Sequence, residues 1–211
     1  MRTDRVILRS FLTTLLAIAL LFGTMLLILC FVFPASMMEI TYDLGMNELS
    51  VKYASRAYKR TDDVYYAAFA TETAILLEDN AKIEECGLRL ITDDTFVEYC
   101  VIRNEEIAKD NQGVAADKQV SISYEQYVYG QVTMAQYSQN KKAEALSTAL
   151  ASLKGAFPKN NAAALLFITA NKQGDETIVS ALKTNLEGLR TANLSDADAS
   201  YLEALLALSN S

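Results

Sequence analysis

Two hydrophobic patterns meet near Pro34. From Phe11 to Phe33 the chain carries no charge and is almost wholly apolar, FLTTLLAIALLFGTMLLILCFVF. A helix rises about 1.5 Å per residue, so roughly 20 such residues cross the hydrocarbon core of a bilayer. This run is long enough to span. Beyond Pro34 the apolar positions recur three and four residues apart, which is the period of amphipathic helices.

That period places the elements. One helix covers about 47–59, with Leu49, Tyr53 and Ala57 on one face. Asp62 or Asp63 caps the next, VYYAAFATETAILLE. Asn80 begins AKIEECGLRLI, and Thr92-Asp93-Asp94 starts TFVEYCVIRNEEIAK. Asn111 to Asp117, containing Gly113, reads as a loop. Helices follow over 122–137 and 141–156, the second with a stripe of Ala143, Leu146, Leu150 and Leu153. Pro158 and Asn160-Asn161 mark a break before AAALLFITANK. Gln173-Gly174-Asp175 then turns into a helix with Ile178, Leu182, Leu186 and Leu189 on one face. Ser195-Asp196-Ala197-Asp198 reads as a capping box before a closing helix with Leu202, Leu205 and Leu206.

The expected organisation is a cytoplasmic segment at 1–9, a transmembrane helix at 10–34, a juxtamembrane connector at 35–45 and a helical domain at 46–211. Ile40 to Leu44 continues the membrane helix or bends away from it after Pro34, which interrupts the backbone bonding. Eight Gly, two Pro and no Trp leave few strand or turn signals, so the fold class is all-α.

Charge at the flanks orients the span. Arg2, Arg5 and Arg9 precede it against Asp4, while Glu39 and Asp43 follow and the first basic residue after it is Lys52. Basic residues stay on the cytoplasmic side, which puts the carboxyl-terminal domain outside. A cleavable signal peptide has the same charge order, but its apolar core is usually about 7–15 residues and ends at an A-x-A-like site. Phe33-Pro34-Ala35 and Pro34-Ala35-Ser36 match that site poorly, and a lipoprotein would need a small residue where Leu29 stands before Cys30.

The whole chain has 19 basic and 26 acidic residues; with three and one of these before residue 34, the remainder has 16 against 25, a net charge of −9. Such a surface repels phosphates, so nucleic acid is not an expected partner. Residues 72–110 hold eleven acidic and four basic residues, −7 of that total. Solvation accounts for such a cluster; so does an acidic surface that docks a basic partner, where complementary charge raises encounter rate and specificity.

The chain contains no His, which removes the commonest acid–base group and every Ser–His or Cys–His pair. Gly45, Gly87, Gly113 and Gly130 are isolated, so there is no phosphate loop. The doublets Asp62-Asp63 and Asp93-Asp94 suit helix starts, and Glu84-Glu85 and Glu105-Glu106 lack the Glu-x-x-His of a carboxylate metal bundle. No enzymatic activity, cofactor, metal or small-molecule substrate is expected. Cys86 and Cys100 fall on consecutive helices, either as two buried thiols or as a disulfide that an exported domain permits. Asn193-Leu194-Ser195 is a glycosylation sequon by pattern. Eight of the eleven tyrosines cluster around 53–66 and 124–137, suiting seam packing or an aromatic-lined peptide groove.

Helix starts near Asn47, Asn80, Ile122, Asn160 and Ser195 recur about 33–42 residues apart, the period of helix–turn–helix arrays. The segment from Tyr124 to Pro158, with small residues Ala143, Ala145 and Ala149 at its seam, resembles one tetratricopeptide-like unit, and Gln173-Gly174-Asp175 resembles the turn within a pair. The Trp of that consensus is absent and the small residues sit about one place off its register. An irregular helical bundle uses the same elements. The resemblance implies antiparallel helical pairs stacked as a solenoid over 46–211, whose concave face takes a peptide or helix. Together with the anchor, this architecture resembles bacterial anchored repeat proteins that assist secretion or envelope assembly.

The expected function is a membrane-anchored scaffold that binds a basic protein partner at the outer face of the membrane. Its candidate contact residues are Glu84, Glu85, Asp93, Asp94, Glu98, Glu105, Glu106, Tyr124 and Tyr127, with membrane lipid around residues 10–34. The alternative is a structural subunit acting through its transmembrane helix.

Overall fold

The computed structural model describes residues 2–120, 122–153, 162–190 and 194–208. Pro158, Asn160 and Asn161, expected as a break, and Asn193 of the sequon lie outside these residues. The first helix, α1 (Arg2–Val32), contains a stretch from Arg9 to Leu29 of mean hydropathy 2.5, none of it buried. That length and composition suit a membrane span and equally a signal sequence. Phe33 leaves the helical region (φ −121°, ψ 62°), and Pro34 restarts the chain in the first turn of α2 (Pro34–Asp43), where its missing N–H costs nothing.

Nine more α-helices follow among the described residues: α3 (Asn47–Thr61), α4 (Val64–Leu76), α5 (Asn80–Ile91), α6 (Phe96–Asp110), α7 (Tyr124–Ser138), α8 (Lys142–Ala151), α9 (Ala162–Gln173), α10 (Glu176–Leu189) and α11 (Asp196–Ala207). No strand occurs among the described residues. Side-chain oxygens fix several starts. Asp63 accepts from the Tyr65 N–H at 3.0 Å, Asp79 from Ala81 and Lys82 at 3.1 Å, and Ser195 from Asp198 at 3.2 Å. Asp62 does not cap α4; it ends α3 in the left-handed region at φ 55°. The segment 35–45, expected as a connector, is mostly α2, and its Met38 is wholly buried against α3 with its carbonyl accepting from Ser50 Oγ at 3.0 Å.

Consecutive helices pack as hairpins in a solenoid-like stack. α2 lies on α3, α3 on α4 and α4 on α5; α7 then meets both α8 and α9, α9 pairs with α10, and α11 closes on α10. α6 departs from this order. α5 packs along α4 and α7 rather than along α6, so the two helices expected as one pair are not a hairpin. Gly87 explains how α5 reaches α7: a Cβ there would stand 2.3 Å from Val132 Cγ2, an approach only a glycine allows.

Small residues set the other seams. Ala54, Ala67, Ala68, Ala70 and Ala74 are buried between α3, α4 and α5, while Leu166, Phe167, Leu182, Leu186, Leu202 and Leu205 form the larger core of α9–α11. On α8 the buried stripe is Ala145, Thr148 and Ala149; Ala143 is exposed, and Leu146 and Leu150 are half-buried flanks. Of the expected stripe, Leu146 and Leu150 pack against the core and Leu153 is buried just past the helix, while Ala143 faces out; Thr148 instead turns inward and donates to Gln136 Oε1 at 2.8 Å. Cys86 and Cys100 are free, buried thiols in separate clusters, one beside Met38 and Ala70, the other beside Phe96 and Tyr124, so the disulfide alternative does not hold. Burial raises both, Cys100 to about 12, which makes them inert packing groups at neutral pH.

Candidate functional site

The acidic segment divides into two populations. One is already paired with cations or hydrogen-bond donors of the domain. Glu72 Oε1 accepts the Tyr124 hydroxyl at 2.8 Å and faces Arg103 Nη2 at 3.4 Å; Arg103 also donates to Glu106 Oε2 at 2.5 Å and stacks 5.4 Å over the Tyr124 ring. Glu84 pairs with Lys141 and accepts from Gln139 at 3.0 Å, which ties α5 to the end of α7. Glu85 pairs with Arg89 at 3.1 Å, one turn along the same helix. Asp93 accepts from Tyr58 at 2.7 Å and from the Thr95 N–H and hydroxyl. Burial acts against the Asp93 anion, but these donors still hold its carboxyl below the usual value, and the same bond raises Tyr58 to about 12.

Tyr124 belongs to this population too. It is buried, with Tyr99 edge-on at 5.8 Å, and burial followed by the charge of Glu72 raises its pKa strongly. Tyr127 is half-buried in the same cluster.

The second population is on α6. Successive residues in a helix turn by about 100°, so Glu98, Val101 and Glu105 share one face, with Asp94 extending it below the first turn. Among the described residues none forms an ion pair with Asp94, Glu98 or Glu105, and all three are exposed. Large apolar side chains stand among them: Val97 is 68% exposed, Val101 56% and Ile102 57%. The inward side of the same helix buries Phe96 and Cys100. Sequence reasoning found the carboxylates of α6 but not its outward valines. The signal was present, since FV and CV place apolar residues on two faces of one helix.

The structure therefore separates the nine expected contact residues. Glu98 and Glu105 come together on α6, with Asp94 two residues before its start and Glu106 adjacent but bound to Arg103. Glu84, Glu85, Asp93, Tyr124 and Tyr127 lie elsewhere or inside.

A cleft of about 750 Å³ opens between the turn after α7 and the turn after α9, lined by Tyr137, Asn140, Lys142, Asp175 and Glu176 among others. Its central carboxylate is already occupied: Asp175 pairs with Lys142 at 2.7 Å, accepts from Tyr137 at 3.0 Å and caps α10 through Ile178. The Lys142 bond first, then Tyr137, holds Asp175 below the usual carboxylate value. Such a cluster joins three helices. No group of three or more Cys, Asp or Glu side chains among the described residues converges as metal ligands would. Comparison with known protein families, curated proteins and solved structures finds no match to this chain.

Proposed function

We propose that this chain is a membrane-anchored adaptor. α1 tethers a tetratricopeptide-like helical stack at the outer face of a membrane, and the outward face of α6 receives a protein partner, as in an envelope or secretion complex. The supporting observation is the position of α6, set aside from the order α5–α7 with exposed Val97, Val101 and Ile102 interleaved with Asp94, Glu98 and Glu105. Exposed apolar side chains beside three carboxylates, with Lys109 at the far end of the face, suit a basic amphipathic helix: its apolar side covers the valines and its Lys or Arg meet the carboxylates. Charge gives mainly encounter rate and specificity, and the apolar strip gives residence time. The three arginines before the span support the orientation. No chemistry is assigned to the domain.

The second reading, a subunit working through its span, draws on the exposed apolar surface of Arg9–Leu29. Its small residues are scattered: Ala19 and Gly23 make one small-xxx-small pair, which Ala17 and Thr24 do not extend into a continuous seam. Replacing residues 10–32 with an unrelated apolar span separates the two. An adaptor retains its co-purifying partner from detergent-solubilised membranes, whereas a helix-dependent subunit loses it.

A further inference from the structure

The basic face of α3 runs against the acidity of the domain. Residues 49–61 contain Lys52, Arg56, Lys59 and Arg60 and no acidic residue. All four are exposed. At about 100° per residue they fall within one arc of roughly 100°, a single stripe opposite the buried Ser50, Val51, Ala54 and Ala57. Glu48 and Asp62 bound the stripe at its two ends.

Its position is fixed by contact with α1. Arg60 Nη1 donates to the Val32 carbonyl at 2.7 Å, one of the last carbonyls of that helix, which has no partner of its own within the helix. The Arg56 guanidinium stands 5.7 Å over the Phe31 ring and 5.5 Å over that of Tyr53. Counting roughly 20 residues from Phe11 brings the helix to the edge of the hydrocarbon core just before Phe31. Phe31 and Val32 then lie at the depth of the headgroups, and the guanidinium groups that touch them lie there too. Arg and Lys suit that depth, with their stems along apolar surface and their charges in the polar layer.

We propose that the Lys52–Arg60 face of α3 lies on the bilayer that α1 crosses and binds the phosphates of anionic phospholipids. The inference rests on α1 being a membrane span. It adds a function that the tether alone does not have: the stripe sets the tilt of the stack over the membrane. α6 is thereby held in a defined attitude rather than swinging on Phe33. Each basic side chain at an anionic surface adds about fivefold to the local partition, so four together outweigh the general repulsion of the acidic domain.

The test uses the full chain in lipid nanodiscs, either of phosphatidylcholine alone or with one third phosphatidylglycerol, and reads acetylation rates of individual lysines by mass spectrometry. Lys52 and Lys59 should react at least fivefold more slowly in the anionic discs, with Lys109 and Lys118 unchanged. Molar salt should remove the difference. Arg56→Gln together with Arg60→Gln should reduce the protection of Lys52 and Lys59 without altering thermal unfolding in detergent by more than a few degrees. Equal rates for Lys52 and Lys59 in the two lipids, with the protein disc-bound, overturn the stripe while leaving the anchor intact. A chain that does not stay with the discs overturns both.

Discussion

The hydroxyl of Tyr124 donates to Glu72 Oε1 at 2.8 Å, joining α7 to α4 across 52 residues of chain. Arg103 of α6 shares the same carboxylate oxygen. This cluster is where α6 is tied to the stack, and it explains why an exposed helix keeps a fixed position. Hydrogen bonds to charged groups contribute about 1.5–3 kcal/mol when buried. Tyr124→Phe should therefore lower stability by about 1–2 kcal/mol, less than the full value because Glu72 keeps Arg103 and water. Denaturant unfolding in detergent reads this directly, and an unchanged midpoint would show the bond to be incidental.

Gly87 tests the packing of α5 on α7. An alanine is ordinarily better in a helix by about 1 kcal/mol, yet here its methyl meets the stiff, fully buried Val132. Gly87→Ala should be destabilising by about 1–3 kcal/mol through overpacking. Combining it with Val132→Ala should restore part of the loss, because the second change removes the opposing methyls. A Gly87→Ala protein as stable as the wild type would contradict the close approach.

Asp175 makes a prediction in acid. Its folded pKa lies below the ordinary value of 3.8 because Lys142 and Tyr137 donate to the anion. A depressed carboxylate stabilises the fold above its unfolded pKa and loses that contribution as the pH falls through the lower folded value. Asp175→Asn keeps a cap but loses the ion pair, so it should cost about 1 kcal/mol at pH 7. The gap to wild type should close as the pH falls from about 4 towards 2. Thermal unfolding of the two proteins against pH measures the gap, and a constant gap would show that the carboxylate's charge plays no part in joining the helices.

Topology has its own test. Protease added to intact cells or spheroplasts should digest residues beyond about Glu39, starting in the 111–120 loop that follows α6. Full protection until the membrane is broken would reverse the orientation.

Much of the fold was legible because its helices announce themselves. Asn80 and Ser195 stand at helix starts, Gly174 and Asp175 at a turn, and Ile178, Leu182 and Leu186 at a buried period. Boundaries slipped where a polar residue had two uses. Asp62 ends one helix while Asp63 caps the next, and Asp93 folds back on Thr95 so that α6 begins only at Phe96. The site was harder to read. Charge counts along the chain ignore which carboxylates find a cation in space, and Lys141 lies 57 positions from Glu84. Pairing with non-neighbours likewise hid the departure of α6, since the steric permission for α5 to skip it resides in the absent side chain of Gly87. The basic stripe was hidden for the same reason: Arg60 is 28 residues from Val32 in sequence and bonded to it in space.

If the outward face of α6 docks a basic helix, a photo-crosslinking residue at Val101 will capture that helix in membranes of the source organism. A discrete adduct with a second protein is expected. It should disappear when Asp94, Glu98 and Glu105 are all changed to Lys, in a variant whose helical content and unfolding temperature match the parent. The same probe at Leu165, exposed on α9, should give no such adduct. An adduct that survives the charge reversal, or none at Val101 in intact membranes, would refute the docking surface and return the carboxylates of α6 to the role of a solvated face.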